Sequence, residues 1–229
     1  MMYEHIRKAT FINRPNRFIA NILIDGKREV CHVKNTGRCK ELLVENAEIF
    51  VQETNKNTRK TKYDLISVVK GDRIVNIDSQ APNKVFYEWL MEQQESKLIK
   101  CIKPEYTYKS SRFDFYIETE NQKILTEVKG VTLEEDGVVR FPDAPTERGL
   151  KHVKELTESI NEGFTSLVVF IIQMKDVLYF TPNAKTHKAF AEALSEASDK
   201  GVKILALDCQ VTQDSIAAKD FVKVVLYFP

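Results

Sequence analysis

Residues 111–129 read SRFDFYIETENQKILTEVK. Two runs of strand-forming residues flank the polar turn Glu120-Asn121-Gln122, and this arrangement predicts a β-hairpin. Alternate residues of a strand share a face, so Glu127 and Lys129 are expected to point the same way, about 6.6 Å apart along the strand. If Asp114 lies opposite them on the first strand, two carboxylates and one ammonium group converge at this hairpin.

This convergence has two interpretations. In the first, Asp114 and Glu127 are catalytic residues that bind a divalent metal through oxygen, which is the ligand atom that Mg²⁺ prefers. Lys129 would then position or polarise a water, and the metal would stabilise charge on a phosphate. In the second, the three residues form an ordinary solvated face with a weak cross-strand ion pair. The hairpin residues alone leave both interpretations open.

The chain has 229 residues, enough for one large domain or two small ones, with 34 Lys and Arg against 33 Asp and Glu. Charge is unevenly distributed along it. Residues 1–80 hold 15 basic and 10 acidic residues, whereas residues 81–229 hold 19 and 23. A basic first part beside an acidic second part fits a nucleic-acid-binding module joined to a carboxylate-bearing one, although ordinary surface scatter would also give this difference.

The four cysteines match no common zinc-binding spacing and no dense disulfide framework, which favours reduced thiols in a cytoplasmic protein. The first residues lack the apolar core of a signal peptide. No segment approaches the roughly 18 uninterrupted apolar residues that a membrane span needs. We therefore expect a cytoplasmic location and no membrane partner.

The first part of the chain is rich in short strand patterns separated by turns. The sequence predicts five strands, over residues 18–24, 29–33, 48–52, 63–70 and 73–77. A polar loop over residues 53–62 carries Lys56, Arg59, Lys60 and Lys62. Five short strands suit an oligonucleotide-binding (OB) barrel over residues 1–80, although the pattern does not separate this barrel from other small β folds.

A boundary is predicted near residues 78–82, followed by a helix with Asn83 as its N-cap. Glu88 falls near the start of this helix. It is either an additional carboxylate of the metal site or a solvated helix residue. Strands alternate with helices over residues 83–229, so we expect residues 81–229 to form an α/β domain around a mixed sheet.

A second helix is predicted over residues 147–161, with Thr146 as its N-cap and Gly163 after its end. Three basic or titratable residues, Arg148, Lys151 and His152, lie near its start. They could bind a phosphate where backbone N–H groups also point outward. A charged, solvated helix face is the alternative.

Five segments together resemble the sugar fermentation stimulation protein A (SfsA) family. The segments are residues 13–18 (NRPNRF), 35–38 (NTGR), 111–115 (SRFDF), 127–133 (EVKGVTL) and 141–152 (FPDAPTERGLKH). They lie between residues 13 and 152 of the chain, and the FPDAPT run followed by Arg-Gly and Lys-His is highly specific.

The resemblance implies an α+β architecture in which an OB-like barrel precedes a restriction-endonuclease-like domain of the PD-(D/E)XK type. That superfamily carries an Asp and a Glu-x-Lys on adjacent strands, which match Asp114, Glu127 and Lys129. Many members add a Glu from an earlier helix, a position that Glu88 could supply. The family is also associated with DNA binding and with the regulation of maltose metabolism.

The resulting hypothesis is a DNA-binding protein with a nuclease site that depends on Mg²⁺ or Mn²⁺. Backbone contacts to DNA are expected from the barrel and from the second helix, through Arg14, Arg17, Lys34, Arg38, Arg148, Lys151 and His152. The alternative is a non-catalytic DNA-binding regulator on a nuclease-like fold. RNA is a less favoured partner than DNA, and a homodimer is possible.

Overall fold

The structure is a computed structural model that describes residues 1–35, 37–54, 61–93 and 97–227. Thr36 of the NTGR segment lies outside the described residues, as do Lys56, Arg59 and Lys60 of the basic loop. No helix within the described ranges is long and apolar enough to cross a membrane.

The first sheet curls into a closed barrel. Its strands are β1 (Ile6–Asn16), β2 (Ile19–Ile24), β3 (Lys27–Val33), β4 (Glu48–Glu53), β5 (Tyr63–Lys70) and β6 (Arg73–Asn76). The strand order is β3-β2-β1-β4-β5-β6, and an additional parallel pairing between β3 and β5 closes a ring of five strands. The predicted five-stranded OB-like barrel is therefore confirmed.

The membership of the ring differs from the prediction in one strand. β1 was not predicted, and it belongs to the closed ring, whereas the predicted fifth strand, β6, pairs with β5 outside it. Ala9 and Phe11 of β1 point into the core. Beyond Phe11 the register shifts twice along the β1–β2 pairing. These bulges break the alternation on which sequence-based strand detection depends.

The rest of the chain forms an α+β layer structure around two sheets. Its helices are α1 (Ala81–Glu92), α2 (Glu147–Ser159) and α3 (Lys188–Asp199), and a 3₁₀ turn, Ile160–Glu162, extends α2. Its strands are β7 (Ile99–Tyr108), β8 (Ser111–Thr119), β9 (Lys123–Val131), β10 (Leu133–Glu135), β11 (Val138–Phe141), β12 (Thr165–Ile172), β13 (Tyr179–Pro182), β14 (Lys203–Val211), β15 (Ile216–Phe221) and β16 (Lys223–Val224).

The larger sheet has the order β15-β14-β12-β9-β8-β7. Its centre, β9-β12-β14, is parallel and its edges are antiparallel, so the predicted mixed sheet is confirmed. Helix α1 packs on one face through Val85 and Phe86. Helices α2 and α3 pack on the other face, through residues such as Leu156 and Phe190. The smaller sheet has the order β10-β11-β13-β16.

Two predicted helix starts have different outcomes. Thr146 is the N-cap of α2, and its hydroxyl accepts a hydrogen bond from the Gly149 N–H at 3.1 Å. Asn83 is not the N-cap of α1, because that helix begins at Ala81 after Gln80, with a proline in its first turn. Proline is favoured there, since its missing N–H has no helical partner to lose. Asn83 is consequently free to point its amide at the sheet.

Polar contacts fix the barrel against the second part of the chain. The Gln173 side chain donates to Asn76 Oδ1 at 2.9 Å, and the Arg38 N–H donates to Asp143 Oδ2 at 2.7 Å. A Cβ on Gly37 would lie 2.5 Å from Asp143 Oδ2, so this approach requires a residue without a side chain. The barrel and the large sheet are thus held in one orientation.

Candidate metal and phosphate site

Asp114 lies where the β8–β9 pairing ends. The paired residues run from Glu118–Lys123 to Phe115–Thr126, one residue short of Asp114. Its Oδ2 accepts a hydrogen bond from the Val128 N–H, and its Oδ1 accepts one from the Asn83 side-chain amide, both at 2.7 Å. The carboxylate is therefore held from the neighbouring strand and from helix α1.

Burial raises the pKa of Asp114 above its usual value, and the nearby charge of Glu127 raises it further. The two hydrogen bonds to the carboxylate oppose this effect without cancelling it. Asp114 accepts from the N–H of Val128, the residue that follows Glu127, so the Asp114 carboxylate lies beside the segment that carries Glu127.

Glu127 is the more buried of the two carboxylates, with 3% of its surface exposed. Its Oε1 accepts a hydrogen bond from His152 Nδ1 at 2.6 Å and forms an ion pair with Lys129. Burial alone would raise its pKa, but the contacts with His152 and Lys129 outweigh burial, and the pKa of Glu127 is lowered. Glu127 is therefore a charged carboxylate in a site that excludes most water.

The other oxygen of Glu127, Oε2, is buried and has no hydrogen-bond partner among the described residues. An unsatisfied buried carboxylate oxygen is costly unless a further ligand binds it. The described part of the chain brings no three His, Cys, Asp or Glu side chains together as a metal-ligand group. The protein ligands would thus be Asp114 and Glu127, and the remaining positions of a hard cation would be open to water or phosphate oxygen.

The ring of His152 holds Glu127, a contact that the sequence did not predict, and its predicted phosphate contact stays a prediction. Its ring is 3% exposed, and its second nitrogen, Nε2, is 3.4 Å from Arg148 Nε. An arginine Nε is always a donor, so His152 Nε2 accepts its hydrogen bond. The proton of the imidazole is then on Nδ1, and this N–H group donates a hydrogen bond to Glu127. Arg148, His152 and Glu127 therefore form one hydrogen-bonded chain that leads from the surface to the buried carboxylate.

The phosphate-binding prediction for Arg148 and Lys151 fits their position. Both are exposed, and both line an open pocket of about 420 Å³ together with Ser110, Arg112 and His152. The Lys151 ammonium donates to the Ser110 carbonyl at 3.0 Å, which places its charge at this pocket. Arg112 also lines the pocket and was not predicted, since its position before Phe113 gave no phosphate-binding signal.

The structure does not bring Glu88 to the carboxylates. Its side chain pairs with the N-terminal amine of Met1 at 2.5 Å and with Lys84 at 3.9 Å. The residue of α1 that contacts Asp114 is Asn83, one and a half turns earlier. Helical periodicity places residues five positions apart on different faces, so the contribution of α1 to the site is an amide and not a carboxylate.

Of the four barrel residues that were predicted to contact DNA, two bind other parts of the fold and two are exposed. Arg14 donates to the backbone carbonyls of Arg17, Asn35, Gly37 and Arg38. Lys34 is paired with two buried carboxylates, 3.3 Å from Asp64 and 3.5 Å from Asp78. Both side chains are therefore committed to the fold, contrary to the prediction that they contact DNA. Arg17 and Arg38 are exposed and line a second pocket.

Asp114→Asn is expected to stabilise the metal-free protein at neutral pH. The folded-state pKa of Asp114 is raised, so its ionised form opposes folding at pH values above that pKa, and this penalty disappears as the pH falls and the group is protonated in both states. Asparagine removes the charge, and Asn83 can rotate its amide to keep a hydrogen bond. We expect the melting temperature in EDTA to rise by about 2–4 °C at pH 8, with a smaller gain at pH 5. A lower melting temperature at pH 8 would contradict this.

Comparison with known proteins agrees with the two-part architecture. Residues 12–77 match the model described as the SfsA N-terminal OB domain, and residues 80–215 match the sugar fermentation stimulation protein RE domain. The structure is similar to that of "Pyrococcus Furiosus SfsA in complex with Ca2+", with a TM-score of 0.87, 29% identity and 98% of each chain covered.

Sequence relatives cover the same length. The chain is 61% identical to a sugar fermentation stimulation protein homolog of Desulfitobacterium hafniense (strain Y51), over 99% of each chain. It is 57% identical to the homolog of Clostridium beijerinckii, over 99% of this chain and all of that one. With both domain models matched and full-length relatives above half identity, the chain belongs to the sugar fermentation stimulation protein (SfsA) family.

Proposed function

We propose that this protein binds DNA and hydrolyses phosphodiester bonds with a divalent metal, Mg²⁺ or Mn²⁺, held by Asp114 and Glu127. The observation that carries the proposal is the buried, charged Glu127 carboxylate, whose Oε2 has no partner in the described residues. Asp114 lies close enough for the charge of Glu127 to raise its pKa. Two largely buried carboxylates of like charge fit a cation better than they fit a solvated face.

The family relative from Pyrococcus furiosus was solved in complex with Ca²⁺. Calcium prefers oxygen ligands, as Mg²⁺ and Mn²⁺ do. When bound, the metal would supply a positive charge that stabilises the negative charge developing on a phosphate. The match over 98% of the chain supports a cation-binding role for the same fold here.

The side chains around the carboxylates suit the remaining tasks. Lys129 is paired with Glu127 and only partly buried, so its ammonium group can donate a hydrogen bond that orients an attacking water. Arg148 and Lys151 at the adjoining pocket provide charge for the phosphate backbone. Asn83 and His152 hold Asp114 and Glu127 in place, and they are therefore positioning residues.

The test is a cleavage assay on single-stranded, duplex and branched DNA with Mg²⁺, Mn²⁺ or EDTA. We expect the wild-type protein to cleave at least one substrate with metal and none in EDTA. Lys129→Ala should cleave at least about 100-fold more slowly, because the loss of a group that positions a reactant can cost about 10²-fold in rate. DNA binding without cleavage under every metal would instead identify a non-catalytic DNA-binding regulator on this fold.

A further inference from the structure

The tip of the β1–β2 hairpin presents an aromatic side chain to solvent. Arg17 and Phe18 form the two-residue connection between the strands, and Phe18 is 54% exposed. The backbone of this turn is fixed, because Asn16 Oδ1 accepts from the N–H groups of Phe18 and Ile19 at 2.9 and 3.1 Å. The Phe18 ring is therefore presented by an ordered turn and contributes little to the core.

Hydrogen bonds from elsewhere in the barrel hold the same turn. The Val33 N–H donates to the Phe18 carbonyl at 2.8 Å, and Arg14 Nη2 donates to the Arg17 carbonyl at 2.6 Å. Arg14 also joins this turn to Asn35, Gly37 and Arg38 through its other contacts. Ordering the turn in advance lowers the entropy cost of binding a ligand on it.

Three cations surround a pocket beside this tip. Arg17, Arg38 and Lys40 line an open cavity of about 440 Å³, and all three are exposed. None of their side chains forms an ion pair with another described residue. Unpaired basic groups around a concave surface, with an exposed aromatic ring on the turn that carries one of them, are typical of surfaces that bind single-stranded nucleic acid.

One short segment contributes residues to both pockets, the one beside the hairpin tip (the barrel pocket) and the one lined by Arg148 and Lys151 (the phosphate pocket). Ala144 and Pro145 line the barrel pocket, and Glu147 and Arg148 line the other, with only Thr146 between them. The hydrogen bond between Arg38 and Asp143 holds this segment against the barrel. One extended chain can therefore cross the segment and contact both pockets.

We propose that this surface, from the Phe18 tip to the Arg148–Lys151 pocket, is a binding path for single-stranded DNA. A base stacks on Phe18, and the backbone passes Arg17, Arg38 and Lys40 before it reaches the carboxylates. Single strands are favoured over duplex because an exposed ring can stack only on a base that is free of its own stack. The end of the path at the carboxylates rests on the proposed function, whereas binding along the rest of the path requires no metal.

The first test measures the binding of a labelled dT oligomer of about 20 nucleotides, in EDTA, against a duplex of equal length. We expect Phe18→Ala to weaken single-strand binding about 5- to 100-fold, and Phe18→Trp to preserve it, because both rings stack. Tyr227→Ala removes another highly exposed ring, 92% exposed, and should leave the affinity unchanged. An unchanged affinity in Phe18→Ala, or a duplex that binds as tightly as the single strand, would overturn the proposal.

The second test uses the salt dependence of binding. Arg38→Ala/Lys40→Ala should lower the slope of log affinity against log salt by about 1.4, since each lost phosphate contact on a single strand removes about 0.7. Lys27→Ala/Arg28→Ala removes two exposed cations at the start of β3 and should not change the slope. Equal slopes for the two double variants would refute the path.

These measurements separate the path from hydrolysis. If Phe18→Ala loses binding in EDTA while the wild-type protein cleaves nothing with any metal, the path stands and the nuclease proposal fails. If cleavage requires metal and Lys129 while Phe18→Ala binds and cleaves normally, the nuclease proposal stands and the path fails.

Discussion

Glu127→Gln is expected to reduce metal-dependent cleavage at least about 1000-fold and to weaken Mn²⁺ binding at least about 100-fold. Glutamine has nearly the same size as glutamate, and its carbonyl oxygen can still accept the His152 hydrogen bond. What it lacks is the negative charge, which a divalent cation needs from its few protein ligands. Titration calorimetry or the electron paramagnetic resonance signal of free Mn²⁺ measures the affinity without depending on turnover.

A matched control is Glu134→Gln. Glu134 is also buried, at 7% exposure, and it is also paired with a lysine, Lys70. It lies on β10, and its contacts fasten that strand to the barrel. We expect this variant to lose some stability but to bind Mn²⁺ and cleave DNA like the wild type. Wild-type Mn²⁺ affinity in Glu127→Gln would show that the unpartnered Oε2 is not a metal ligand.

Local periodicity was sufficient for the hairpin that carries the site. The side-chain period of two in a strand predicts that Glu127 and Lys129 share a face, and their ion pair has that geometry. The turn at residues 120–122 separates β8 from β9 as predicted. Both features depend on residues that are close in sequence, so no knowledge of the tertiary structure was needed.

The partners that complete the site come from distant parts of the chain, and local patterns do not predict them. Asn83 lies 31 residues before Asp114, and His152 lies 25 residues after Glu127. Asparagine is a favoured cap at a helix start, and the arginine and lysine beside His152 indicate an exposed helix face. Only the packing of α1 and α2 on opposite faces of the sheet turns these side chains towards the carboxylates.

A similar limit applies to the basic residues of the barrel. Residue type predicts a positive charge, but the partner of that charge depends on which loops meet in the fold. Positions 14 and 17 are both arginine. In the structure the first is bound by four carbonyl groups, whereas the second is exposed at the hairpin tip.

Arg14→Ala is therefore expected to destabilise the fold strongly, by about 3 kcal/mol in the free energy of unfolding, which corresponds to about 6–12 °C in melting temperature. The hydrogen bonds from its guanidinium to the Gly37 and Arg38 carbonyls measure 2.9 and 3.0 Å, and those to Asn35 and Arg17 measure 2.5 and 2.6 Å. Truncation leaves these carbonyls without that donor and separates the hairpin tip from the neighbouring loop.

Arg17→Ala is the matched comparison, because it removes the same side chain three residues away. Its guanidinium has no ion-pair partner within the described ranges, so we expect a stability change within about 0.5 kcal/mol. Urea unfolding of both variants gives the two free energies directly. If Arg14→Ala unfolded like the wild type and only lost DNA affinity, Arg14 would be a DNA contact after all. A large loss of stability in Arg14→Ala, with weaker DNA binding but normal stability in Arg17→Ala, would separate the residue that builds the surface from the residue that uses it.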